Sequence, residues 1–181
     1  MFSVKRLPIS IMALLLALLS SVAFAQTPSI TLENRVKAAY LYNILKFTHW
    51  QKFQPAEVSS SIHICVLGRD GIVEALKPVT NKTVQGRPIS LEIISTFDSQ
   101  KRCQVLVISA KNHNKNLFKL AEDTGALTLS SHEYFAIEGG MIGFVIRNGK
   151  VHMEVNVAAL RQAGIHMSSK LLEISTLIKS N

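Results

Sequence analysis

The chain has 181 residues, of which 48% are hydrophobic and 18% charged, and its formal net charge is +8. This length suits one domain with a sizeable core, and the composition excludes an intrinsically disordered protein. The basic residues are scattered, with no run longer than Lys101-Arg102, and they form no aromatic-basic stripe. We therefore expect no nucleic-acid partner.

The N-terminus carries a targeting signal. Two basic residues precede the apolar stretch 9–22, and the small residues Ala23 and Ala25 follow at the positions that a signal peptidase reads. An uncleaved anchor is the alternative, but the stretch is shorter than the roughly 20 residues that span a bilayer. We predict a signal peptide over residues 1–25 and a soluble, exported domain over 26–181, located in the periplasm.

A helix is predicted from Leu32 to about His49, with Thr31 as its N-cap. Its apolar stripe is Val36, Ala39, Tyr40, Asn43, Ile44 and Phe47. Tyr42 and Trp50 lie off this stripe. Because Tyr and Trp are enriched in protein interfaces, we take these two residues as candidate partner contacts.

Short extended and helical segments then alternate. The predicted strands are 62–67, 82–85, 89–94, 103–109 and 126–129, and the predicted helices are 70–77 and 112–123. Alternation of this kind predicts an α/β fold, here a compact single-domain sandwich. We expect a mixed, partly parallel sheet with flanking helices.

The C-terminal third begins with a β-hairpin, since Asn148-Gly149 is the strongest signal for a two-residue turn. Asn156 is a suitable N-cap for the helix that follows, and Gly164 suits its C-terminal end. A second helix is predicted to start at Ser168 or Ser169. The predicted segments are strands 141–147 and 150–155, a helix 157–163 and a last helix that reaches Ile178.

Three polar residues of the second hairpin strand, His152, Glu154 and Asn156, share one face by the two-residue period. That face could contact a partner or a small ligand, or it could face water, as hairpins of antiparallel sheets commonly do. On polarity and periodicity we take Glu154 and Leu160, on the following helix, as further candidate contacts.

Cys65 and Cys103 are the only cysteines. An even count in an exported protein favours a disulfide, which over 38 residues would stabilise by about 4 kcal/mol. Two buried free thiols are the alternative.

Motifs for catalysis or cofactors are missing. The six histidines form no metal-binding spacing, "VLGRDG" lacks the features of a nucleotide loop, and G-x-S-x-G does not occur. We therefore predict no catalytic residues, no metal ligands and no cofactor.

Several blocks, in order and spacing, resemble YfiR-type periplasmic proteins. They are "VKAAYLYNILKFTHW", "IHICVLGRD", "NKTVQGRPI", "CQVLVISA", "GGMIGFVI" and "VHMEVNVAALRQAGIHMSSKLLEIS", and they span about residues 36–175. The resemblance implies a compact α/β domain without catalytic activity, often a homodimer. Cys65 and Cys103 match one cysteine pair of that family. A second pair near "GGMIGFVI" is missing here, which puts redox regulation through it in doubt.

The resemblance also implies a function. A repressor of this family binds the periplasmic sensor domain of an inner-membrane diguanylate cyclase and keeps cyclic-di-GMP synthesis low, and an outer-membrane lipoprotein can sequester it. Related domains occur near sensor kinases. We expect a regulator that acts by binding. A periplasmic small-molecule sensor acting with a sensor kinase, and an exported enzyme using Cys65, are the rival hypotheses.

Overall fold

The computed structural model describes residues 30–53 and 61–179. In chain order the elements are α1 (Leu32–Lys46), β1 (Thr48–Trp50), β2 (Ile62–Leu67), α2 (Ile72–Leu76), a 3-10 helix (Lys77–Asn81), β3 (Thr83–Val84), β4 (Arg87–Ile94), β5 (Val105–Ile108), a 3-10 helix (Ala110–Asn112), α3 (Asn116–Thr124), β6 (Leu127–Ser130), β7 (Ile142–Arg147), β8 (Lys150–Asn156), α4 (Val157–Gln162), β9 (Ile165–Met167), α5 (Ser169–Glu173) and β10 (Thr176–Ile178). The predicted signal peptide lies outside the described residues. Over the described ranges, no helix has the length and apolar character needed to cross a membrane.

Eight strands form one mixed sheet, in the order β10-β8-β7-β6-β5-β2-β4-β3. Within this order the neighbouring strands β7, β6, β5, β2 and β4 pair in parallel. Strands β7 and β8 form the antiparallel hairpin. Helices flank this sheet, so the predicted α/β class with a mixed, partly parallel sheet is confirmed. A separate two-stranded ribbon, β1 with β9, was not predicted.

Both faces of the central strands are buried, as expected for parallel strands covered by helices. Alternate residues face two separate cores. One core contains Ile64, Val66 and Val107 with residues of α1 and α2, and the other contains Cys65, Leu106 and Ile108 with residues of α3.

Local signals placed the ends of several elements correctly. Thr31 Oγ1 accepts the backbone N–H of Asn34 at 3.2 Å, and Asn156 Oδ1 accepts that of Ala159 at 3.0 Å. The hairpin turn has positive φ at both Asn148 and Gly149, as a type I′ turn requires.

The predicted last helix is wrong beyond residue 173. α5 ends there, and Thr176–Ile178 pair in parallel with Glu154–Asn156 as strand β10. The apolar run that suggested a longer helix instead covers the open edge of β8, where unpaired backbone groups would otherwise face solvent. The strand predicted at 89–94 in fact begins two residues earlier, because β4 starts at Arg87.

Most of the polar face of β8 is buried and does not face solvent. His152 is exposed, but Glu154 and Asn156 are buried. Asn156 Nδ2 donates to the carbonyl of Ala136 at 3.0 Å, so the connection between β6 and β7 covers this end of the strand. The alternation of residue types showed which side chains share a face, but not that another segment covers it.

The disulfide prediction is confirmed. Cys65, on β2, is bonded to Cys103, two residues before β5, and their Cα atoms are 5.8 Å apart. Both residues are buried in the core that packs against α3. The bond joins β2 to the segment that leads into its neighbour in the sheet, β5.

Candidate functional site: an apolar rim around a charged cleft

Four large side chains are exposed around one side of the molecule, and we call them the apolar rim. They are Leu32 (74% exposed), Tyr134 (56%), Ile137 (58%) and Ile146 (50%). Tyr134, Ile137 and Ile146 line a cleft of about 530 Å³, and Ile146 is shared with an adjoining hollow of about 360 Å³ that Leu32 also lines. Grouped exposed apolar side chains of this kind mark interaction sites.

The connection between β6 and β7 is held in place by its own backbone and by one buried aromatic ring. The N–H of Glu138 donates to the carbonyl of Tyr134 at 2.9 Å, and that of Gly140 to Phe135 at 2.9 Å. Phe135 is fully buried, and a Cβ at Gly140 would lie 2.2 Å from its ring. Only glycine fits there, so this packing fixes how Tyr134 and Ile137 are presented.

Two ion pairs lie in the cleft, each with one buried and one accessible partner. Lys37 is buried on α1, pairs with the half-exposed Glu33 and donates to Ser131 Oγ at 2.7 Å. Glu154 is buried on β8 and pairs with the half-exposed Arg147. The accessible partners, Glu33 and Arg147, therefore offer a carboxylate and a guanidinium at the cleft. The charge of each is balanced by its buried partner, Lys37 or Glu154.

The two aromatic contact candidates are half-buried and already have partners within the protein. The Tyr42 hydroxyl donates to the carbonyl of Thr83 at 3.3 Å, and the Lys82 ammonium lies 4.8 Å from its ring centroid. The Trp50 indole N–H donates to the carbonyl of Gln104 at 3.2 Å, and its ring packs against the larger core. Part of each ring remains accessible.

The other two contact candidates are not surface residues. Leu160 is 2% exposed and belongs to the larger core, so its side chain offers nothing to a partner in this structure. The choice of Leu160 is corrected because the exposed side of α4 is carried by Arg161 and Gln162 instead. Glu154 lines the cleft but is buried, so it acts there through Arg147. The four candidates thus form no common exposed surface.

A second set of side chains lies at the end of the parallel strands. His113 follows β5, His132 follows β6, and Glu138 lies in the connection to β7. The Nε2 atom of His113 is 2.7 Å from Glu138 Oε2, and Nδ1 of His132 is 3.9 Å from the same oxygen. The two imidazole rings stack with centroids 3.9 Å apart. We call these three residues the histidine–glutamate cluster.

The charges around Glu138 keep its carboxyl group ionised. Desolvation, the largest single influence, acts to raise its pKa, but the charges of Lys115 and His113 and the hydrogen bonds from both residues together lower the pKa below the ordinary value. Lys115 Nζ lies 3.5 Å from Glu138 Oε1. Glu138 is therefore a carboxylate at neutral pH.

The cluster and the rim were both missed from sequence. His113 and His132 are 19 residues apart, so no short motif unites them. One signal was available. Parallel strands end at one edge of a sheet, so polar residues just after predicted strands 103–109 and 126–129 could have been grouped there.

The fold and the cleft define a small α/β domain with an open cleft bordered by exposed apolar side chains. Within this class the chain belongs to the YfiR/HmsC-like family, whose profile matches residues 34–176, so the resemblance seen in the sequence is confirmed. Proteins of this family have a periplasmic regulatory role in cyclic-di-GMP signalling. They are regulators rather than enzymes, and they interact with partner proteins of the periplasm.

Among curated proteins, no sequence matches this chain. Among solved structures, the chain is similar to the ligand-free, open form of a substrate-binding protein with adhesive properties from Clostridium difficile. The two are 16% identical with a TM-score of 0.46, over 67% of this chain and 55% of the other. The chain thus spans about half the length of that protein.

Proposed function

We propose that the protein is a periplasmic regulator that binds the outer sensor region of an inner-membrane diguanylate cyclase and represses it. The apolar rim is the observation that carries this proposal. It offers large apolar side chains for burial, and apolar anchors surrounded by polar groups are typical of sites that dominate binding energy. Repression would follow if the protein binds the inactive receptor conformation more tightly than the active one.

The cleft supplies polar groups for specificity. Glu33 and Arg147 lie beside the rim with opposite charges, so a partner would need a matched pair of charges to approach closely. In this proposal residues 1–25 direct export, and residues 26–181 form the regulatory domain. An outer-membrane lipoprotein would compete for the same domain, and Tyr42 and Trp50 would add contacts away from the rim.

Placing charges on the rim should weaken partner binding without unfolding the protein. In the Ile137→Glu/Ile146→Glu double variant, affinity for the purified periplasmic domain of the cognate cyclase should fall at least about tenfold, since two apolar anchors would become charged. Because both residues are exposed, the Tm should barely change. Biolayer interferometry at physiological salt measures the affinity, and cyclic-di-GMP in cells reports repression.

Ile93 provides the matched control. It is 53% exposed, like the rim residues, but it lies on β4 and lines neither the cleft nor the adjoining hollow. Ile93→Glu should bind as the wild type does. Equal binding by the rim variant, or no association of the wild type with the cyclase domain, would contradict the proposal.

A small-molecule sensor acting with a sensor kinase is the second candidate, and the cleft volume favours it. About 530 Å³ lies within the range of ligand-binding pockets, roughly 300–1,000 Å³. A ligand carrying a carboxylate would find the accessible Arg147 guanidinium in the cleft. A thermal-shift screen of periplasmic metabolites should then find a stabiliser whose effect is lost in Arg147→Gln. Failure of every compound to raise the Tm would remove this candidate.

A further inference from the structure

We propose that His113, His132 and Glu138 bind a divalent transition-metal ion, and that Zn²⁺ is the ion their donors fit best. Each residue offers one ligand atom, and these atoms all lie within 4.8 Å of one another. Neither the family relationship nor the proposed regulatory function depends on this site, so the two can be tested separately.

Unpartnered buried polar atoms concentrate at this one place. Among the residues that the structure describes, five buried side-chain nitrogen or oxygen atoms have no hydrogen-bond partner. Three of the five belong to this cluster: His113 Nδ1, His132 Nδ1 and Glu138 Oε2, although Glu138 Oε2 lies 2.7 Å from His113 Nε2. Buried polar groups are almost always paired in folded proteins, so the orphan His132 Nδ1 needs a physical reason. Coordination of one ion by His132 Nδ1, His113 Nε2 and Glu138 Oε2 supplies that partner.

The spacing of the donor atoms suits one small ion. Four-coordinate zinc, with bonds of about 2.0–2.1 Å, places its ligand atoms roughly 3.4 Å apart. The two measured separations from Glu138 Oε2, 2.7 Å to His113 and 3.9 Å to His132, lie on either side of that value. The two rings stack at 8° with centroids 3.9 Å apart, and an imidazole lone pair lies in the plane of its ring, so one ring must turn out of the stack for both nitrogen atoms to bind one ion.

Surrounding residues contact the Glu138 carboxylate, the His113 ring and the His132 backbone. Lys115 holds the second carboxylate oxygen of Glu138, and Ser130 Oγ accepts the backbone N–H of His132 at 3.0 Å. The ring of His113 packs against Phe118 and Phe135, with centroids 5.6 and 5.9 Å away. Such second contacts orient ligands and keep water from competing, and they are a regular feature of metal sites.

The donor set selects the kind of ion. Two imidazoles with one carboxylate favour Zn²⁺ and its transition-metal neighbours, whereas Mg²⁺ and Ca²⁺ prefer sites made of oxygen atoms. Three protein ligands leave a fourth position, and the side chains are partly accessible, at 14% for His113, 34% for His132 and 29% for Glu138. Water or a group from a partner can therefore complete the coordination.

Zinc binding can be measured directly on the purified protein after EDTA treatment and dialysis into metal-free buffer. Calorimetric titration with ZnCl₂ should give one tight site per chain, and the Tm should rise with zinc and level off after one equivalent. His132→Gln and Glu138→Gln, which keep side-chain size, should each weaken binding at least about 100-fold, since loss of a supporting residue alone costs 10- to 100-fold. Excess Mg²⁺ should not displace the zinc.

The exposed pair His49 and His166 provides the control, because these residues face each other across β1 and β9 and could bind zinc by themselves. The His49→Gln/His166→Gln double variant should retain the tight site. Loss of zinc binding in this control, with normal binding in His132→Gln and Glu138→Gln, would overturn the proposal, as would no binding by the wild type. If one cluster variant fails to fold in EDTA, the other and an anomalous difference map at the zinc edge still decide the question. A peak between the three side chains supports the site, and its absence refutes it.

Discussion

Replacing Cys65 and Cys103 together by alanine is expected to lower the free energy of unfolding by about 4 kcal/mol. The bond closes a loop of 38 residues, and the chain-entropy estimate for a loop of that length gives this figure. The loop contains the residues of α2, β3 and β4, and without the bond this part of the chain gains conformational freedom in the unfolded state. Both sulfur atoms are buried among apolar residues, where alanine introduces no unpaired polar group.

Urea denaturation of the oxidised wild type and of the double variant measures this difference. Wild-type protein unfolded and refolded in excess reductant should show the same midpoint as the variant, because both lack the bond. A variant as stable as the oxidised wild type would show that the bond does not stabilise this domain. Since these are the only two cysteines, reduction switches the chain between just two states.

Leu160→Ala is expected to destabilise the protein by about 2–5 kcal/mol. The side chain is buried in the larger core, to which α1 and β8 also contribute, so truncation leaves a cavity and removes apolar contacts. Chemical denaturation gives the free energy, and partner binding measured well below the Tm should remain close to that of the wild type.

Arg161→Ala on the same helix is the matched comparison. Arg161 is exposed, so its truncation should change stability by no more than about 0.5 kcal/mol. If Leu160→Ala were as stable as Arg161→Ala but failed to bind the cyclase domain, Leu160 would be a contact residue after all, and its placement in the core would be wrong.

Signals confined to a few neighbouring residues predicted the structure well. The turn at Asn148-Gly149 and the cap at Asn156 were both confirmed. The Asn156 side chain binds a backbone N–H only three residues away, and Gly149 has no side chain to oppose a positive φ. Both effects act on the local backbone directly. The family resemblance was also confirmed, over nearly the same residues as expected.

The buried face of α1 was misjudged for an identifiable reason. The predicted stripe shares only Ile44 with the residues that are buried there, which are Lys37, Ala38, Leu41, Ile44 and Leu45. Lys37 was the obstacle, since lysine is almost never buried unless it is paired. Its partners are Glu33, one turn away, and Ser131, 94 residues away. The pairing that permits its burial is therefore partly a tertiary feature.

By itself the sequence determined the α/β class, the hairpin, the helix caps, the disulfide partners and the family. These depend on local backbone preferences, on period-two or helical patterning, or on there being only two cysteines. Tertiary structure alone decided that Leu177 and Ile178 form an edge strand and that Glu154 is buried. It also decided that His113, His132 and Glu138 meet. Each of these outcomes depends on which distant segment packs against a residue, and local preferences carry no information about that choice.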